Sequence, residues 1–117
     1  MKTVRTTAGT VDAQARDTAN WYACNDLQPP GPPSFHIIGE VEVPNPGIDV
    51  HLSEHVPQGI NPTILLLELA LVQKPGLWPQ MVVHKHVRFE KTNIAYKEVE
   101  ILSHSTLIAK VPVEDVF

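Results

Sequence analysis

The chain has 117 residues, 43% of them hydrophobic and 19% charged, with a formal net charge of −4. That is enough for one domain with a real core, and too apolar for wholesale disorder. Its nine Lys and Arg are scattered, which argues against a nucleic-acid surface or a polybasic membrane patch, and the lone Cys24 permits no intrachain disulfide.

Residues 1–19 are polar and rich in Thr, Ala, Asp and Gln, and predict a flexible N-terminal arm, with a short helix over Val11–Ala19 as the alternative. They lack the apolar stretch of a secretory signal. Residues 20–117 are predicted to form one domain. The longest apolar run, Ile64–Val72, is too short for a membrane helix and is interrupted by Glu68. A soluble cytoplasmic protein is the expectation.

Asn20–Cys24 is aromatic and β-prone, and predicts a first short strand. Cys24 reads as a small buried apolar residue, a catalytic thiol paired with one of the six histidines being the other reading. Pro29, Pro30, Pro32 and Pro33 then exclude helix and central strand alike, and predict a stiff surface linker. From there the chain is a series of alternating runs. In Phe35–Val43, Ile37, Gly39, Val41 and Val43 share a face. In Ile48–Val56, Ile48, Val50, Leu52 and Val56 oppose Asp49, His51, Ser53 and His55. Thr63–Gln73 is apolar on both faces apart from Glu68, which predicts a central strand needing cover on each side, a helix with Leu65, Leu69 and Val72 as its stripe being the alternative. Met81–Lys91, Tyr96–Leu102 and Thr106–Val113 complete the set. Asn45-Pro46-Gly47-Ile48 and Lys74-Pro75-Gly76-Leu77 carry the Pro-Gly signature of type II turns. Trp78, just after the second, reads as an anchor of its loop on the core.

Short links between many short strands predict an all-β fold, an antiparallel β-sandwich of about six to seven strands, immunoglobulin-like or jelly-roll-like. The apolar second face of Thr63–Gln73 predicts a homo-oligomer with this face as a subunit interface or ligand groove.

The concentrated chemistry lies in Met81–Lys91. Its odd positions are mostly apolar, and its even positions are His84, His86, Arg88 and Glu90. If this strand forms a hairpin with Thr63–Gln73, burial favours a register that brings Glu68 to the same face. Glu68, His84, His86, Arg88 and Glu90 are therefore the candidate ligand-binding residues. The His84-x-His86-x-x-x-Glu90 spacing resembles the first metal motif of the cupin family, and the resemblance implies His84, His86 and Glu90 as ligands of one divalent transition metal. A second cupin motif is absent, His104 being the only histidine downstream. Acid–base chemistry by His and Glu, with Arg88 holding an anion, is a further reading. The plainest is a solvated strand face of cross-strand charge pairs. The leading functional expectation is a binding and interaction module without cofactor, partnered by itself, and by neither nucleic acid nor membrane. A small metal-binding or acid–base enzyme is the alternative.

Overall fold

A computed structural model describes residues 17–117. Seven strands follow one another: β1 (Asp17–Asp26), β2 (Ser34–Val43), β3 (Ile48–Glu54), β4 (Ile64–Gln73), β5 (Val83–Thr92), β6 (Glu98–Ser103) and β7 (Thr106–Val116). No helix occurs among the described residues. Each strand overlaps one of the expected runs; β1 extends the aromatic Asn20–Cys24 segment at both ends, and β4 is the run that is apolar on both faces. The arm and the short helix expected at the N-terminus lie outside the described residues as far as position 16; Asp17–Ala19 belong to β1.

All seven strands join one mixed sheet in the order β3-β4-β6-β7-β1-β2-β5. The all-β class holds, and the sheet curls until it nearly closes into a barrel. Two expectations are corrected. The ladders are not all antiparallel, because β4 pairs β6 and β1 pairs β7 in parallel. Nor do β4 and β5 form a hairpin: β4 lies between β3 and β6, while β5 pairs β2 from Ser34↔Thr92 to Val43↔Val83. The reason is geometric. In a sheet this curled, a link such as Lys74–Val82 spans from one wall to the other at about 3.3 Å per residue. A short connection then carries the chain over the barrel end instead of folding it back on its neighbour.

The eleven-residue β7 bends between the two halves, its first part on β6 and its last four residues on β1. The outermost strands β3 and β5 face each other without a shared ladder. Two lysines from the inward-pointing row of β5 bridge them. Lys91 Nζ stands 3.1 Å from a Glu54 carboxylate oxygen, and Lys85 Nζ donates to the Pro46 carbonyl at 3.0 Å. These are the charged exceptions on the otherwise apolar side of Met81–Lys91.

The core is continuous from Phe35, Ile37, Val41 and Val43 of β2 through Leu65, Leu67, Leu69 and Leu71 of β4 to Val99 and Ile101 of β6. Phe35 meets the Tyr96 ring edge-on at 5.2 Å. The one buried polar side chain among the described residues, Asn25 of β1, donates to the Tyr96 carbonyl at 2.7 Å and to Asp115 Oδ1 at 2.8 Å, and accepts from the Tyr96 N–H at 3.0 Å. It thereby pins the β5–β6 link to β1 and β7, and satisfies a buried peptide that water cannot reach.

Two glycines admit two tryptophans. A Cβ on Gly39 would stand 2.3 Å from Trp21 Cε3, and one on Gly47 would stand 2.3 Å from Trp78 Cε2. Trp78 anchors its loop, as expected, but on the β2–β3 turn instead of the core: it is 37% exposed, its ring lies on Gly47, its Nε1 donates to the Lys74 carbonyl at 3.0 Å, and the Lys74 ammonium sits 5.3 Å from its centre. Of the two Pro-Gly turns, only Gly76 has the positive φ, 117°, that a type II turn requires. Gly47 is needed for space.

Candidate functional site

The even positions of β5 point outward, as alternation requires, and meet the outward row of β2. Glu42 stands opposite His84, Glu40 opposite His86, Ile38 opposite Arg88 and His36 opposite Glu90. The resulting surface is a ladder of imidazole–carboxylate pairs: His84 Nε2 to Glu42 Oε1 at 3.6 Å, His86 Nδ1 to Glu40 Oε2 at 3.9 Å, and His36 Nδ1 to Glu90 Oε2 at 3.5 Å. Arg88 pairs with Glu90 on its own strand. His86 and Arg88 are largely exposed, at 82% and 72%. Pairs in such surroundings contribute roughly 0.2–1 kcal/mol each.

His84, His86 and Glu90 therefore share a face, yet each looks toward a different β2 residue. Among the described residues no three His, Cys, Asp or Glu side chains converge as metal ligands would. The cupin resemblance stays confined to the spacing, since two of the sheet's ladders are parallel.

Glu68 is not on this surface. It points out from β4 on the other half of the sheet, where its Oε1 accepts from His55 Nδ1 at 2.9 Å and its Oε2 from the His104 N–H at 3.2 Å. The expected grouping with His84 and His86 is corrected because it depended on a β4–β5 hairpin that does not form. The role of Glu68 is to hold the β6–β7 turn. His104 and Ser105 both adopt positive φ there, 51° and 64°, as a two-residue type I′ hairpin demands.

A shallow groove of about 280 Å³ runs along the β2–β5 surface, floored by Ile38, Gly39 and Val87 and edged by Asn20, Glu40, His86 and Arg88. It owes its shape to an irregularity in β1. The register shifts between Ala19 and Tyr22, Asn20 takes φ 59°, and its side-chain amide donates to Glu40 Oε1 at 3.1 Å. The row of outward side chains continues across β1, where the half-buried Cys24 stands opposite His36 and Tyr22 Oη donates to Glu114 Oε1 at 3.3 Å. Desolvation first, then Cys24 and Glu114, push the Tyr22 phenol above its usual range.

The opposite half of the sheet carries a different surface. Ile64, Leu66, Ala70 and Val72 point outward along β4, all only half-buried, in a spine that Glu68 interrupts at its middle. On the β3 side the flanking residues are Asp49, His51, Ser53 and His55; on the β6 side they are Glu98, Glu100 and Leu102. Ile60, fully exposed in the β3–β4 loop, lines a hollow with Ile64 and Leu66 at one end of the spine.

No helix among the described residues is long and apolar enough to cross a membrane. Comparison of the chain with protein-family models, with curated proteins and with solved structures returned no match.

Proposed function

We propose that this protein is an interaction module that associates with a second copy of itself through the outward face of β4. The observation that carries the reading is the double-sided apolarity of that strand. Its inner leucines already fill the core, and Ile64, Leu66, Ala70 and Val72 still present apolar surface on the outside, on either side of Glu68, whose carboxylate is held by His55 and the His104 N–H. An apolar centre with a polar rim is the anatomy of a protein interface. In this reading the halves β3–β4–β6–β7 and β7–β1–β2–β5 act as the two layers of a sandwich, and their outer faces serve different purposes.

The rim favours a second copy over an unrelated partner. A twofold axis parallel to β4 would set the β3 flank of one copy against the β6 flank of the other and bring His55 level with the Glu100 of the second copy, both standing beside Leu66, on both sides at once. Each outward residue would then meet its own counterpart, including Glu68, whose carboxylate accepts from His55 and from the His104 N–H. Cysteine cross-linking tests that geometry. Ala70→Cys in a Cys24→Ser background forms a disulfide-linked dimer on mild oxidation, whereas Lys110→Cys, exposed on β7, does not. Equal or absent cross-linking at the two positions overturns the reading.

A further inference from the structure

Ser34 and His36 lie two residues apart on β2, on the same outward face, and Glu90 of β5 is the ladder partner of His36. The Ser34 hydroxyl is 2.9 Å from His36 Nε2, and the other ring nitrogen, Nδ1, is 3.5 Å from Glu90 Oε2. Arg88 pairs with the same Glu90 carboxylate. A carboxylate accepts only. A carboxylate facing Nδ1 favours the tautomer with the proton on that nitrogen, which leaves Nε2 to accept the Ser34 proton. Nucleophile, base and orienting acid thus stand in the order that nucleophilic hydroxyl catalysis requires, on three side chains that two adjacent strands hold in register. None of the three is part of the β4 surface.

We propose that Ser34 is an activated nucleophile that accepts the acyl group of small, uncharged esters, with His36 as general base and Glu90 as positioning residue. Ser34 Oγ attacks the ester carbonyl carbon, and His36 Nε2 takes the hydroxyl proton. The carbon–alkoxy bond breaks, and the leaving alkoxide takes that proton from Nε2. Water then attacks the acyl carbon with Nε2 again accepting the proton, the bond to Oγ breaks, and Oγ recovers its proton. The groove floored by Ile38 and Val87 begins one outward position beyond His36 and is edged by Arg88. It offers an apolar resting place for a short acyl or aryl group next to the imidazole.

The titratable and charged groups around the His36 imidazole are Glu90 and Arg88 on β5 and Tyr22, Cys24 and Asp26 on β1. The test uses p-nitrophenyl acetate with the full chain, reading nitrophenolate release and the mass of the Ser34 peptide. The parent protein gains one acetyl group on Ser34 and turns over with a single ionisation in its pH profile. Ser34→Ala loses the acetyl group, and His36→Gln slows acylation by about 100-fold or more and removes that ionisation. Glu90→Gln moves the ionisation and lowers the rate while leaving far-UV circular dichroism unchanged, which a merely structural carboxylate would not do. Cys24→Ser behaves as the parent. Turnover that survives Ser34→Ala, or acetyl transfer only to Cys24 or to another residue, overturns the proposal.

Discussion

Gly39→Ala places one methyl group where the Trp21 indole lies. The new Cβ would be 2.3 Å from Cε3, 2.5 Å from Cζ3 and 2.7 Å from Cδ2, against an optimal carbon–carbon separation of about 3.5–4.0 Å. The indole must therefore move by more than about 1 Å. It cannot swing away cheaply, since it packs against the core beside the β1 irregularity. Overpacking of this kind costs about 1–3 kcal/mol. Alanine recovers about 0.4–1 kcal/mol by restricting the unfolded chain. The expected net loss is about 1–2 kcal/mol, or about 4–10 °C in Tm for a domain of this length. Urea titration followed by tryptophan fluorescence measures it directly. In a Trp21→Val background the same Gly39→Ala change should cost almost nothing, so the double-mutant cycle returns a coupling of about 1 kcal/mol or more. A Gly39→Ala protein as stable as the parent, or a coupling below about 0.5 kcal/mol, refutes the packing of β1 over β2 and with it the wall of the groove.

Asn25→Ala leaves the Tyr96 N–H and carbonyl unpartnered in the interior and is expected to cost about 2–4 kcal/mol by chemical denaturation; Asn25→Asp keeps the bond from the Tyr96 N–H but turns a buried carboxylate oxygen on the Tyr96 carbonyl and Asp115 Oδ1, and is expected to cost at least as much at neutral pH. His104→Asn with Ser105→Gly suits the positive φ at both positions and should raise stability by about 0.5–1 kcal/mol, read as a higher Tm. The Glu54 hydrogen bond raises the Lys91 pKa above its usual 10.5. A raised folded value means that the seam stabilises fully below pH 10.5 and less as pH climbs through the folded pKa. Tyr22 shifts in the same direction. In a Tyr22→Phe background, Glu54→Gln should therefore flatten the alkaline fall of Tm above pH 10.5; a fall of unchanged steepness counts against the bridge.

Side-chain alternation made the strands legible, because one face of each is buried and the other is not. It could not reveal which strand lies beside which. The pattern of β5 states that His84, His86, Arg88 and Glu90 share a face, but their partners Glu42, Glu40, Ile38 and His36 come from β2, a strand far away in the chain. The same blindness misplaced Glu68, whose partners are His55 and the His104 peptide. Lys85 and Lys91 looked like flaws in an apolar row until the seam to β3 accounted for them. Ser34 and His36 did carry a local signal, two polar residues of complementary chemistry at strand spacing. Without the β2–β5 ladder that brings Glu90 alongside, they read as an ordinary solvated face. The outward apolar spine of β4 was the most legible functional feature, since no residue in Ile64–Val72 except Glu68 offers water a charge.

Sedimentation equilibrium of the full chain and of Leu66→Lys, over a wide concentration series, tests the interaction reading most directly. Leu66 is half-buried on the outside of β4 and away from the core, so the variant keeps its fold, as its far-UV circular dichroism will show. The parent should fit a reversible dimer, and Leu66→Lys should remain monomeric throughout. A parent chain that stays monomeric, or a Leu66→Lys variant that associates as the parent does, contradicts the account.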